Sequence, residues 1–361
     1  MDNNSNSSYE LATGQPWDLN TRRIIMLAVD IIMFIIGFVG NGSVIYLTMR
    51  QKTLRTVPNL LITNLALGDM MVVLLIILVN ILHAIFHSVI SPLLYRYCEF
   101  FLFIQFLSLG VSVLTLTVLS VDRYTTVAFP MHKQHYAKRL TVWTIAGIWL
   151  LSFTIVGPLW FGLIDDTMCW FTNPDSYTAY LIALVLFLFV LPTIVMVTCY
   201  CLTAIKLVQS NNFLKLDKLG GQKQQRQRSR LAIIVLIMTI AFILCSSFLY
   251  AWLIAFRISP SHPFVQNMVV KELKSILNKV NSIVNPIILY LMSSTYRRHF
   301  LKQFCCYFHS SKRKREKSTL SRSNTQPCIS KGMSQSHMPG NEERTIVSTR
   351  MAPIKEADSQ I

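Results

Sequence analysis

The amino-acid sequence predicts an all-α membrane protein, a seven-transmembrane helix bundle. Of its 361 residues, 52% are hydrophobic and only 14% are charged, a balance outside that of ordinary soluble domains. Seven runs are apolar and are long enough to cross about 30 Å of hydrocarbon as helices that rise about 1.5 Å per residue. These runs span about 24–49, 60–86, 98–127, 140–161, 179–208, 231–256 and 268–292. The last run also carries several charged residues, which predicts that it lines a polar cavity.

The positive charge of the chain is concentrated in particular loops. The net charge of +17 would suggest a nucleic-acid binder if it were spread evenly, but Lys and Arg cluster in alternate loops and the tail. The clusters lie at 50–55, 132–139, 215–230 and 297–317. The positive-inside bias places them in the cytoplasm, so we expect a multi-pass plasma-membrane protein with its N-terminus outside. Residues 1–20 are polar, and the first span is therefore expected to act as the insertion signal.

The chain is expected to divide into three parts. Residues 1–23 form an extracellular segment, in which Asn3 and Asn6 begin glycosylation sequons. Residues 24–308 form the seven-helix domain, which ends in a short amphipathic helix on the membrane surface near 296–304. Residues 309–361 form a cytoplasmic tail that is polar, basic and rich in Ser and Thr, and this tail is predicted to be disordered and phosphorylatable.

The third span ends in a charged pair. Residues 102–121 contain no ionisable side chain, so Asp122 and Arg123 fall at the watery end of the span. There the carboxylate can neutralise the guanidinium while both groups stay near the interface, and a partner can separate them. A lone arginine at this place would more often be an interfacial anchor.

The surroundings of the pair are more specific than the pair itself. Asp122-Arg123-Tyr124 has Cys98 at the opposite end of the same span and Pro130-Met131 just beyond it. This constellation resembles the third helix of rhodopsin-like G-protein-coupled receptors. The resemblance implies a receptor without catalysis, in which a ligand shifts the bundle between two packings and frees Arg123 to meet a heterotrimeric G protein. It also implies that Met131 inserts into that G protein.

Polar residues inside the second and seventh spans resemble the same family. Asp69 lies deep in the second span, where an unpaired charge is costly, and Asn285-Pro286 removes a hydrogen bond from the seventh helix. Polar side chains in other spans lie at depths where they could converge on Asp69, namely Asn41, Ser112, Asn281, Ser282 and Asn285. In the family the matching positions hold a sodium ion, and a metal-free polar network is an equal alternative. No other cofactor is expected.

Four segments resemble one subgroup of the family. The seventh span has Leu289 where the family pattern has tyrosine, and Tyr290 follows, as in bombesin-type and endothelin-type receptors. Segments 54–59, 104–117 and 296–300 also look like bombesin-type receptors, and invertebrate receptors for CCHamide-like peptides fit equally well. This likeness implies an extracellular neuropeptide ligand, Gq-type coupling and a calcium response. Tyr200 in the fifth span and Tyr290 then join the switch residues.

The sixth span departs from the family pattern. The family usually carries a Trp beneath the ligand pocket and a Pro two residues later, where this chain has Ser246 and Phe248. Without the proline the helix keeps its hydrogen bond and should be straighter. We therefore expect another activation hinge, or constitutive signalling by an orphan receptor with high basal activity.

Residues predicted to face the cavity favour a peptide or anionic ligand. Gln105 stands where amine receptors place an Asp, and an amide cannot supply the charge that pairs a ligand ammonium. Basic residues outweigh acids in the outer half of the bundle. The candidate ligand-binding residues are Gln105, Asn80, Arg257, Lys271, Lys274 and Lys279.

Lys279 allows several interpretations. It lies six residues before Asn285, the position at which opsins attach retinal, so an opsin-like photoreceptor is an alternative. It could instead bond Gln105 or Asn80 across the cavity, or pair with an acidic group of the ligand. A transporter or channel would need charges along several spans, whereas the mid-membrane charge is assigned largely to Asp69 and Lys279.

The cysteines divide by location. Cys98 and Cys169 both fall on the outer side, where oxidation is permitted, and are predicted to form a disulfide. Cys305 and Cys306 follow the basic amphipathic stretch, a setting suited to palmitoylation and contact with membrane lipids, although free cytosolic thiols are the alternative. The Ser/Thr-rich tail is expected to meet receptor kinases and arrestin.

Overall fold

The fold is described from a computed structural model. The residues that it describes are 19–87, 90–91, 98–129, 138–159, 164–165, 170–171, 174–214 and 220–305. Several predicted sites lie outside them, namely Asn3, Asn6, Pro130, Met131, Cys169 and Cys306, together with the side chains of Cys98 and Cys305. The expectations for the N-terminal segment and the tail also lie outside the described residues, apart from 19–23.

Each predicted span corresponds to one long helix. The helices are α1 (Leu19–Arg50), α2 (Val57–Val72, a π-helical turn Val73–Ile77, then Leu78–Ile85), α3 (Cys98–Ala128), α4 (Lys138–Val156, then a 3-10 turn Gly157–Leu159), α5 (Pro174–Val185, a π-helical turn Leu186–Val190, then Leu191–Leu214), α6 (Gly220–Ile258) and α7 (Met268–Met292). By length and composition α1 to α6 could each cross a membrane, and α7 is the charged one. The predicted all-α membrane fold is confirmed.

Shorter elements connect and extend the bundle. They are a 3-10 turn Lys52–Leu54, two antiparallel strands β1 (Ile164–Asp165) and β2 (Trp170–Phe171), a one-turn helix Pro263–Gln266, and α8 (Ser294–Phe300), which continues in a π-helical turn Leu301–Cys305. Ser293 caps α8 by accepting a hydrogen bond from the Tyr296 amide at 3.4 Å.

α6 begins at Gly220 rather than near 231, where the apolar run starts. Residues 222–230 are mostly Gln, Lys and Arg, which favour helix but not hydrocarbon, so a search for apolar runs finds only the membrane-spanning part. α6 therefore extends beyond the apolar layer at the end of the bundle that carries Arg123, called the Arg123 end below. The opposite end, which carries Lys271, is called the Lys271 end.

α3 is the central helix of the bundle, and it packs against α2, α4, α5 and α6. Its side chains at Val111, Val113, Leu116 and Leu119 are fully buried. α1 lies at the edge, and it approaches α7 closely at Gly40: a Cβ there would lie 2.8 Å from the Pro286 Cγ. A larger residue would force α1 and α7 apart, because protein interiors are close-packed.

Candidate functional site

A cavity of about 560 Å³ opens at the Lys271 end. Side chains from α2, α3, α5, α6 and α7 line it. Among them are five of the six predicted ligand-binding residues: Gln105, Arg257, Lys271, Lys274 and Lys279. The sequence pattern thus brings together residues that are far apart along the chain.

Asn80 is the predicted ligand-binding residue that the cavity lining does not include. α2 contributes Ile76 instead, which lies inside the π-helical turn Val73–Ile77. Such a turn takes up one additional residue, so it rotates everything after it by about 100° relative to a regular helix. Regular helical periodicity therefore does not give the directions of the residues after this turn, Asn80 among them.

Every charged residue among the described cavity-lining residues is basic. Lys271 donates a hydrogen bond to the Gln266 side chain at 2.8 Å, and the Arg257 Nε donates to the Thr178 hydroxyl at 2.5 Å. The Lys274 ammonium lies 3.8 Å from the centre of the Trp252 ring, a cation–π contact. In the described part of the chain, no carboxylate forms an ion pair with Lys274.

Trp252 forms an aromatic part of the cavity wall beside Lys274. Its ring stacks on Phe256 with centres 5.2 Å apart, and both residues line the cavity. The buried Nε1 of Trp252 has no hydrogen-bond partner among the described residues. An apolar surface beside a cation that has no carboxylate in ion-pair contact, and beside an N–H without a hydrogen-bond partner, is suited to a ligand that carries an acceptor group next to an apolar side chain.

Lys279 is paired inside the protein. Its Nζ donates to the Asp30 carboxylate on α1 at 2.6 Å, and the two side chains are only 4% and 8% exposed. Neither Gln105 nor Asn80 is its partner in the described structure. Because a buried ammonium needs a counter-ion, an acid had to lie beside Lys279. The sequence signal was available, since Asp30 interrupts the apolar first span. The assignment of mid-membrane charge largely to Asp69 and Lys279 left Asp30 out.

Residues one helical turn from Asp30 and Lys279 belong to a buried apolar cluster. Met33 and Ile283, which flank the two partners on α1 and α7, belong to a buried cluster that α2 completes with Val72, Val73, Ile77 and Ile81. Near apolar side chains water screens little, so the attraction between the two charges is strong, and so is the penalty for removing one of them.

Asp69 is fully buried in the middle of the bundle. Asn285 Nδ2 donates to its Oδ2 at 2.9 Å, and the Ser112 hydroxyl donates to its Oδ1 at 3.4 Å. Asn281 takes part through its backbone carbonyl, which accepts from Asn285 Nδ2 at 3.3 Å. The carboxylate and the Ser112 hydroxyl are oxygen donors of the kind that a hard cation prefers.

The helix bond that Pro286 removes is replaced from α1. A residue at position 286 would normally donate its N–H to the carbonyl of Ser282, and proline has none. Asn41 Nδ2 donates to that carbonyl at 3.0 Å. With Gly40 beside it, Asn41 fixes α1 against α7 at the proline.

Arg123 and Asp122 form an ion pair at the Arg123 end. The Arg123 side chain is 5% exposed, and its Nε has no partner among the described residues. Nearby, Tyr200 joins three helices: its hydroxyl accepts a hydrogen bond from Ser120 on α3 at 3.1 Å and shares one with Thr239 on α6 at 3.3 Å. Tyr124 packs edge-on against the Phe129 ring.

Tyr290 faces α1 and α8. Its hydroxyl donates to Ser43 at 2.9 Å, and its ring lies edge-on to Phe300 and Tyr296, with centres 5.2 and 6.3 Å away. Tyr296 in turn shares a hydrogen bond with Thr48 at 3.3 Å, and burial raises the pKa of Tyr296 to about 12. The place where the family pattern has tyrosine is taken by Leu289, which is buried in the core.

α6 is continuous through Ser246 and Phe248. Ser246 is 3% exposed, and its hydroxyl has no partner in the described structure. The hydroxyl of Tyr250, one turn further along, is also buried without a partner. Two unsatisfied hydroxyls on one helix face leave this packing less favourable than a fully bonded one.

These features define a class of protein: a membrane protein of seven helices, with a cavity lined by basic residues at one end and a buried arginine–aspartate pair at the other. Residues 40–289 match the family model described as "7 transmembrane receptor (rhodopsin family)". The chain therefore belongs to the rhodopsin family of seven-transmembrane receptors, a family of receptors and not of enzymes. The resemblance inferred from the sequence motifs is confirmed at this level.

Similar proteins are receptors for peptides. The chain is 30% identical to bombesin receptor subtype-3 of Ovis aries over 298 residues, which is 75% of this chain and 72% of that protein. It is 28% identical to the neuropeptide CCHamide-1 receptor of Drosophila melanogaster over 342 residues, 87% of this chain and 68% of that one. It is 26% identical to somatostatin receptor type 1 of Rattus norvegicus over 312 residues, 84% and 76% of the two chains.

Proposed function

We propose that the chain is a plasma-membrane receptor for an extracellular neuropeptide, with the Lys271 end outside and the Arg123 end in the cytoplasm. The observation that carries the proposal is the 560 Å³ cavity, whose described charged residues are all basic. The relatives named for bombesin, CCHamide and somatostatin support a peptide ligand. The basic loops at the Arg123 end support the orientation.

The ligand should present an acidic group to Lys274. Lys279 is already neutralised by Asp30, so an acid placed there would be repelled by the Asp30 carboxylate. Lys274 has a ring contact but no described carboxylate partner, and Lys271 and Arg257 line the same cavity. A peptide with an acidic side chain or a free carboxylate, next to an aromatic or aliphatic residue, fits this wall.

Binding at the cavity would act on Arg123 through the packing of α6 and α7. Both helices line the cavity, and α6 is joined to α3 and α5 through Thr239, Tyr200 and Ser120 at the other end. A ligand that fits one packing better than the other shifts the population toward it. In the favoured packing Arg123 leaves Asp122 and meets the G protein. The bombesin-like segments support coupling to Gq-type proteins and a calcium signal.

The polar group at Asp69 fits a sodium ion that stabilises the resting packing. Asp69 and Ser112 supply oxygen ligands, and Asn281 and Asn285 complete the candidate set. The Asn285 amide is oriented with its NH₂ toward the carboxylate, and a flipped amide would offer oxygen instead. If sodium binds there, raising the sodium concentration lowers agonist affinity, and Asp69→Asn removes that dependence.

We also propose several modifications and contacts at residues whose side chains the structure does not describe. They are a Cys98–Cys169 disulfide, glycosylation at Asn3 and Asn6, palmitoylation at Cys305 and Cys306, contact of Met131 with the G protein, and binding of receptor kinases and arrestin to the tail. Each rests on the residue types and their positions in the sequence.

The test compares two cation substitutions at the same end of the bundle. Lys274→Gln removes a cation that lines the cavity, whereas Arg23→Gln removes an exposed cation on α1 that is not among the lining residues. For an acidic peptide agonist found by a calcium assay, the first change should raise the EC50 roughly tenfold or more, the loss expected of one charge-assisted contact. The second should leave it within about twofold. Equal effects would refute the assignment of Lys274.

A further inference from the structure

Two histidines at the Lys271 end converge on one hydroxyl. His83 lies in the last turn of α2, and His87 follows two residues after the helix ends at Ile85. The Nε2 atom of His83 lies 2.9 Å from the Ser91 hydroxyl oxygen, and the Nε2 atom of His87 lies 3.4 Å from the same oxygen. Neither histidine is among the residues that line the ligand cavity.

We propose that His83 and His87 bind a transition-metal ion of the zinc class, with Ser91 or water completing the coordination. The two Nε2 atoms already converge on one oxygen atom, and imidazole nitrogen is a common ligand of zinc. In such a pair each Nε2 lies about 2.1 Å from the metal, so tetrahedral ligation places the ring centres about 5 Å apart. The ring centres of His83 and His87 are 4.9 Å apart, with the planes tilted by 36°.

The chemistry of the site favours a borderline-soft divalent ion. Neutral imidazole suits zinc, copper and nickel, whereas magnesium and calcium prefer several carboxylate or carbonyl oxygens. The Ser91 hydroxyl has one proton to donate, so one Nε2 accepts that hydrogen bond and the other Nε2 donates its N–H to the hydroxyl oxygen. If the second ring moves its proton to Nδ1, its Nε2 lone pair also becomes free to bind a metal. The metal would take the place at which the two nitrogens now meet Ser91, and would link the end of α2 to His87.

The site is reachable from solvent. His87 is exposed and His83 is partly buried, so an ion in the surrounding water can enter without opening the bundle. With the Lys271 end outside, the ion would come from the extracellular fluid. The metal site itself does not depend on the identity of the peptide ligand, because it lies outside the cavity.

The experiment measures zinc binding to the full-length chain in lipid nanodiscs, without any peptide. Zinc chloride is titrated against a chromophoric zinc indicator, and the thermal midpoint of the protein is recorded with and without zinc. We expect His83→Gln and His87→Gln each to weaken binding roughly tenfold or more and to remove the zinc-dependent rise in the midpoint. Ser91→Ala should keep binding within a few-fold, because water can replace the hydroxyl.

Two further variants make the result decisive. His87→Cys supplies another zinc ligand at an exposed position, so it should restore binding that His87→Gln loses. His299→Gln changes a histidine in α8, at the Arg123 end of the bundle, and should leave zinc binding unaltered. Zinc affinity and stoichiometry that are the same in wild type and in the His83→Gln, His87→Gln double variant would overturn the proposal. The peptide-receptor proposal would stand in either case.

Discussion

The Asp30–Lys279 ion pair should be one of the strongest single contributions to the stability of this bundle. Both side chains are at least nine-tenths buried, and residues one helical turn from each belong to a buried apolar cluster. Asp30→Asn leaves the ammonium without a counter-ion, and Lys279→Gln leaves the carboxylate bare. Removing one member of a buried pair costs about 3–5 kcal/mol, whereas removing both leaves no uncompensated charge. We therefore expect each single change to lower the free energy of unfolding by about that amount, and the double change to recover most of the loss.

A control pair joins the same two helices. Arg22 on α1 pairs with Glu272 on α7, but these side chains are 28% and 26% exposed. Ion pairs that water can reach contribute only about 0–1 kcal/mol, so Glu272→Gln should have a smaller effect than a change at the buried pair. The measurement is reversible unfolding in mixed detergent micelles with increasing dodecyl sulfate, for wild type, the three variants at 30 and 279, and Glu272→Gln. The reasoning fails if Asp30→Asn costs no more than Glu272→Gln, or if the double variant is as unstable as the sum of the two single ones.

Two other variants, one single and one double, test the contact between α1 and α7 and the departure of α6 from the family pattern. Gly40→Leu should lower the thermal midpoint of the purified protein by several degrees, since the side chain must displace Pro286, whereas unchanged melting would contradict the close approach of the helices. Ser246→Trp with Phe248→Pro restores the family pattern in the sixth helix, and it should change basal or peptide-evoked calcium signalling because a prolyl kink becomes available. Identical concentration–response curves would show that this part of α6 is not the hinge.

The sequence was sufficient to predict the helices and several site residues, because those features depend on patterns within one span. Apolar runs of membrane length predict a helix whatever surrounds them, and an ion pair between neighbours such as Asp122 and Arg123 is local. The basic wall of the cavity also followed, since Lys271 and Lys274 interrupt an apolar helix and must face a polar space.

What the sequence did not reveal depends on packing between spans. The π-helical turn in α2 contains no proline or glycine that would indicate it in the sequence, and it changes the directions of the residues that follow, including Asn80. Asp30, the partner of Lys279, lies 249 positions earlier in the chain, on α1. Finding it from the sequence would require knowing that α1 and α7 are adjacent. The direction of the Tyr290 side chain could not be predicted for the same reason, because the Ser43 hydroxyl to which it donates a hydrogen bond lies on α1.

The most direct test of the account is a calcium assay on cells that express the chain, challenged with a library of neuropeptides. At least one peptide with an acidic group should evoke a response, and Arg123→Gln should abolish that response while labelled peptide still binds. The absence of any evoked response from a chain shown to be on the cell surface would contradict a peptide receptor. A full response from Arg123→Gln would contradict the role of the buried arginine in transmitting the signal.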